Sequence, residues 1–130
     1  MALGKIKADT LEHSTAGSLD TSYVVNGSAK AWNCFDGYSS MTLRDSFNTA
    51  SLVDTAVGNF STNFVNSLVN DDFAASGTAD DTTTANLRFV GGSNANLAKT
   101  SSRYGFRCQN YSGSFADADG IMIVAHGDLA

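Results

Sequence analysis

The chain has 130 residues, 13 acidic and 8 basic, for a formal net charge of −5; that balance argues against binding nucleic acid or anionic lipid through charge. Charged side chains make up 16% of the sequence, against roughly 25% in an average globular domain. Ser, Thr, Asn and Gly fill the gap, and they suit strand surfaces and tight turns better than solvent-facing helices.

With no proline in the chain, turns fall to Gly, Asn and Asp, and hairpins are expected to outnumber helices. No run approaches membrane-spanning length, and the N-terminus lacks the apolar stretch of a signal peptide, so a soluble protein with no membrane insertion is expected. The length fits one domain with a real core.

Residues 1–27 hold few large apolar side chains and no aromatic before Tyr23. Leu3, Ile6, Leu11 and Leu19 keep no sustained period, which predicts an extended arm ordered by a partner, with Leu3, Ile6 and Leu11 as its anchoring side chains. Residues 28–130 read as a separate unit. Strands are expected at Ala29–Phe35 and, past a Gly turn, at Met41–Phe47. A hairpin follows, with arms near Ser51–Asp54 and Phe60–Phe64 joined through Gly58-Asn59. Next come Asp71–Gly77, anchored by Phe73, a polar link of Asp and Thr, and Ala85–Val90, where Leu87 and Phe89 alternate with Arg88 and Val90. Gly91–Lys99 reads as turn. In Ser102–Tyr111, Tyr104, Phe106 and Cys108 share one face while Arg103, Arg107 and Gln109 take the other.

The last strand, Gly120–Gly127, is apolar on both faces apart from His126. Ile121, Met122, Ile123 and Val124 cannot all turn inward within one sandwich, so Ile121, Met122 and Val124 are candidates for a contact between subunits. About seven or eight short strands, with turns at roughly eight- to twelve-residue intervals, predict an all-β fold, an antiparallel β-sandwich of jelly-roll type. Its expected core is Trp32, Leu43, Phe60, Phe64, Leu87, Phe106 and Ile123. Asp45 is the misfit: it shares a parity with Met41, Leu43 and Phe47, so a regular strand would aim a carboxylate at that core.

Catalytic patterns are missing. There is no nucleophile elbow, phosphate-binding loop, paired-histidine zinc motif or dinucleotide fingerprint, and neither His13 nor His126 has a nucleophile near it in sequence. The expectation is a non-enzyme without cofactor or metal. Asp71-Asp72, Asp80-Asp81 and Asp117–Gly120 raise the question of calcium, but that ion takes about six to eight oxygens and these runs read as solvated turns. Cys34 and Cys108 are expected as free thiols inside strands. Among the aromatics, Trp32 and Tyr104 read as core. Tyr38, in an Asp-Gly-Tyr turn, and Tyr111, at a strand end, are the candidates for stacking on a glycan.

Three passages carry a family resemblance. Ser28–Trp32 reads SAKAW, Arg44–Asn48 reads RDSFN, and a Gly-centred hairpin then ends in the aromatic-rich strand at Phe60–Phe64. With the later aromatic–Arg strand and the apolar closing strand, the stretch from Val25 to Gly127 resembles a β-rich knob domain found in tail-fibre and other virion surface proteins of tailed bacteriophages. It departs from that pattern at Ala56-Val57 and across Asp80–Thr84. The resemblance implies a homotrimeric knob on the virion surface, made in the host bacterial cytoplasm and serving as capsid decoration or cement, or as a short tail-fibre component for host attachment. Other virion proteins would be met through the N-terminal arm, which reaches about 90 Å at most when extended, and a host-surface glycan through the knob. The alternative is a carbohydrate-binding module not tied to a virion.

Overall fold

The structure is a computed structural model that describes residues 7–38, 40–82, 87–92 and 97–130. Its elements in chain order are β1 (Thr10–His13), β2 (Gly17–Asp20), α1 (Thr21–Gly27), β3 (Ala31–Phe35), β4 (Leu43–Phe47), β5 (Thr49–Ala56), β6 (Asn59–Phe64), β7 (Ala74–Asp80), β8 (Arg88–Gly91), β9 (Arg103–Asn110) and β10 (Gly120–His126). Strands β3 to β10 form two four-stranded sheets, ordered β4-β3-β10-β7 and β5-β6-β9-β8, and every pairing is antiparallel. The expected all-β sandwich is the fold observed.

Alternation builds the core. Ala31, Asn33 and Phe35 of β3 and Ile121, Ile123 and Ala125 of β10 are buried against Phe60, Thr62 and Phe64 of β6 and Tyr104, Phe106 and Cys108 of β9. Phe35, Phe60 and Phe106 meet with ring centroids 5.7 to 6.2 Å apart. A second group of Phe64, Phe73 and Tyr104 joins it through the Tyr104–Phe106 stack at 5.6 Å. Edge-to-face and tilted contacts of this kind add about 0.5–1.5 kcal/mol each beyond simple burial. The β5–β6 hairpin turns through Gly58 at φ +67°, and a Cβ there would sit 2.4 Å from the Cys108 carbonyl oxygen; glycine is required on both counts.

Three residues expected in the core lie outside it. Trp32, Leu43 and Leu87 are exposed. In β3 the inward parity belongs to Ala31, Asn33 and Phe35, so Trp32 and Cys34 point out. Asp45 and Phe47 follow the same outward parity in β4 as partners of Cys34 and Trp32, which removes the difficulty over Asp45: its face is the solvent face. A bulge then sets Leu43 opposite the inward Phe35, exposed on the edge strand of the sheet. In β8, Arg88 turns inward to an ion pair with Asp81, its side chain 7% exposed and that of Asp81 0%. Phe89 therefore points out, and Leu87 ahead of it is exposed too.

Of the segment expected as an extended arm, residues 7–27 are described and are locally folded. β1 and β2 pair as a hairpin, and α1 follows with Asp20 as its N-cap, the carboxylate accepting from Ser22 N at 2.8 Å. Thr21 ties the two together, its N–H donating to the Asp9 carbonyl and its hydroxyl to that of Ala8 at 2.7 Å. These bonds are polar and local, so no apolar period announces them. At the far end, Lys30 Nζ donates to the carbonyls of Val25 and Ser28 and to Ser28 Oγ.

Candidate functional site

The outer face of the β4-β3-β10-β7 sheet is built by residues that the core leaves over. Cross-strand register aligns Ser76, Val124, Trp32 and Phe47 in one row, and Thr78, Met122, Cys34 and Asp45 in the next. Trp32 is 37% exposed and Phe47 51%. Trp32, Cys34, Met122 and Val124 line a shallow depression of about 340 Å³, floored towards β7 by Ser76 and Thr78. Met122 and Val124 thus lie where the sequence suggested a contact, half-buried on this face. Ile121 does not: it is fully buried against the core, because β10 turns its odd-numbered residues inward, and it is removed from that set.

The opposite sheet has a different outer face. Phe89 pairs with Gln109, which bridges on its other side to Phe115, so two exposed rings flank an amide. The Arg107 guanidinium carbon stands 5.4 Å from the Phe115 ring centroid, a cation–π distance. Tyr111 is 69% exposed beside them in sequence, on a turn held by Asn110 Oδ1, which accepts from Ser112 N and Ser114 N at 3.0 Å each. Tyr38 is half-buried, and its hydroxyl donates to Asp81 at 3.3 Å. Burial and then the Asp81 charge push its phenol above the ordinary value. Of the two tyrosines proposed for glycan stacking, Tyr111 is the more exposed.

The folded arm carries the third exposed apolar surface. Leu11 and Leu19 are cross-strand partners, and Leu11, Val24 and Val25 line a depression of about 450 Å³. Leu3 and Ile6, the other two anchoring candidates, lie outside the described residues.

Acidic groups in the loops are tied into the fold. Asp117 accepts from Gly58 N at 2.7 Å, and its carbonyl accepts from Arg88 Nε at 3.1 Å. Asp119 accepts from the Thr82 N–H and hydroxyl, which hold its carboxyl below the usual range. Among the described residues no three His, Cys, Asp or Glu side chains stand together as metal ligands, and no helix is long and apolar enough to cross a membrane. Both cysteines are free; burial pushes the Cys108 thiol up to about 11.

Phe47, Phe89 and Phe115 are absent from the sequence-derived site residues. A signal for the first was present: a carboxylate at Asp45 sharing parity with Leu43 and Phe47 marks an outward face. Phe89 had none, because its direction depends on Asp81 receiving Arg88. Comparison of the chain with protein-family models, curated proteins and solved structures finds no match.

Proposed function

We propose that this chain is a non-enzymatic structural protein of a tailed-phage virion surface, a homotrimeric knob acting as capsid decoration or cement or as a short host-attachment fibre. The observation that carries the reading is the Val124–Trp32–Phe47 row. A folded domain that directs a tryptophan, a phenylalanine, a methionine and a valine outward from one sheet has surface of the kind that neighbours cover. The SAKAW and RDSFN resemblance supplies the virion context and the threefold count. RDSFN contributes Phe47 to that face, and SAKAW contributes Trp32.

Two experiments test this reading. Light scattering on the purified chain at micromolar concentration should return three times the chain mass, and a monomer would overturn the oligomer. Gold-labelled antibody against the chain should decorate phage particles, on the shell for a cement protein and at the tail for a fibre. Label confined to the soluble fraction would overturn the virion reading.

A second reading has its own support in the Phe89–Gln109–Phe115 row and Tyr111. Exposed rings beside an amide and a guanidinium suit the apolar face and hydroxyls of a sugar. On a virion this face would meet a host-surface glycan; off it, the chain would be a carbohydrate-binding module. Sugar affinity in the purified chain, together with its absence from particles, would favour the latter.

A further inference from the structure

The arm has the least within its own chain to account for its order. β1 and β2 are four residues each, all exposed, and the seven residues of α1 bury none of their side chains. A lone two-stranded hairpin is marginal in water, and helices shorter than about 12–15 residues do not hold by themselves. The Asp20 cap and the Thr21 bonds fix how helix meets hairpin, but they remove little apolar surface from water. An apolar side remains open on this small unit, formed by Leu11, Leu19, Val24 and Val25. The unit does not reach its own sheet face. Only Ser28–Lys30 separate α1 from β3, Lys30 clamps that link, and among the described residues none of the arm lines the depression beside Trp32.

We infer that the apolar side of one copy's arm covers the outer face of the β4-β3-β10-β7 sheet of the next copy. This rests on the homotrimer reading above and specifies its contact. Each copy gives an arm to one neighbour and receives an arm from the other, a head-to-tail contact that closes when three copies meet around an axis. Area favours a second copy as the occupant. The exposed parts of Trp32 and Phe47 with the half-buried Met122 and Val124 form a patch smaller than the roughly 800 Å² per partner of a standard interface. The arm offers a second surface of similar kind on the same chain, and a ring uses both. A foreign partner on the sheet would leave the arm unsupported. Leu11 then belongs to this contact, and anchoring to the particle falls to Leu3 and Ile6.

Cys34 is a native reporter, because it lies in the covered face while Cys108 is fully buried. The full-length chain and its L11E/V24E variant are treated with an aromatic disulfide reagent, with mass by light scattering and fold by circular dichroism. Cys34 in the wild-type trimer should react roughly tenfold or more slowly than in the variant, which should stay folded and lose the trimer. Equal rates in a trimeric wild type would overturn the arm contact and leave the homotrimer standing; a wild-type monomer would overturn both. If the double variant does not fold, Val24→Cys decides. Oxidised glutathione should join its new thiol to Cys34 of a neighbour, giving covalent bands that vanish with Cys34→Ser. A trimer that yields no such bands overturns the proposal.

Discussion

Asn33 of β3 donates its amide N–H to Thr62 Oγ1 of β6 at 2.9 Å, linking the two sheets through the middle of the core. Asn33 is 2% exposed and Thr62 1%, so neither group has water as a substitute. Thr62→Val should cost about 1–3 kcal/mol, because it leaves the buried amide only its longer bond to Thr49 Oγ1 at 3.3 Å. Asn33→Leu combined with Thr62→Val should recover much of that loss, since neither polar group remains. Denaturant unfolding of the two singles and the double gives the coupling, and strict additivity would show that the bond contributes little.

Arg88 and Asp81 form the other buried polar contact. Removing Arg88 takes away the cation paired with the buried Asp81 carboxylate, and Arg88→Met should cost about 3–5 kcal/mol. The same change should release β8, because Arg88 Nε also donates to the Asp117 carbonyl at 3.1 Å. Amide hydrogen exchange should therefore rise along β8 more than along β6. A uniform change would mean that β8 is held by its ladder alone.

Stability should fall at alkaline pH. Burial raises the Cys108 thiol from 9.0 to about 11, so the fold favours the protonated form. That contribution is complete below about pH 9, is lost as pH rises to about 11, and is about 3 kcal/mol at most. Burial pushes Tyr104 upward, and burial with Asp81 does the same to Tyr38, so both act in the same direction. Cys108→Ala should flatten the alkaline slope without abolishing it. An unchanged slope would remove the thiol from the account.

Gly58→Ala should destabilise by more than about 1 kcal/mol, since it adds both a disfavoured φ and a Cβ against the Cys108 carbonyl. Gly113, also at positive φ (+80°), meets nothing within 4 Å. The alanine variant there should cost less, and thermal unfolding of the pair separates backbone strain from collision.

Val124→Asp changes an outward residue, so the monomer fold should be kept. Its circular dichroism should match wild type, while the proposed trimer should be lost. A trimer that survives this substitution would show that the β4-β3-β10-β7 face is not where copies meet.

Strands β6 and β9 could be read from the sequence because their inward residues are large and alternate cleanly: Phe60, Thr62 and Phe64, then Tyr104, Phe106 and Cys108. β3 and β4 could be located but not oriented. Size suggested that Trp32 points inward, whereas the inward places of β3 go to a small residue and a polar one, Ala31 and Asn33, along with Phe35. Thr49 and Thr62, both distant in sequence, make an inward Asn acceptable. β8 was inverted for a similar reason, since Arg88 can turn inward only where Asp81 waits. The arm was missed because a hairpin and a two-turn helix joined by Asp20 and Thr21 leave no apolar rhythm. On the candidate faces, Met122, Val124 and Tyr111 could be found from sequence, whereas Phe89 and Phe115 become neighbours only through Gln109.

The position of β3 also bears on mechanics. The arm enters the sandwich at Ala31, at the head of a strand bonded to β4 on one side and β10 on the other. Tension drawn through the arm is shared by two ladders, after the Lys30 clamp has taken the first of it. An edge strand tethered in the same way would peel from a single neighbour, one bond after another. A pull on this chain has to tear an inner strand from both of its neighbours, which suits a domain held at one end and buffeted at the other.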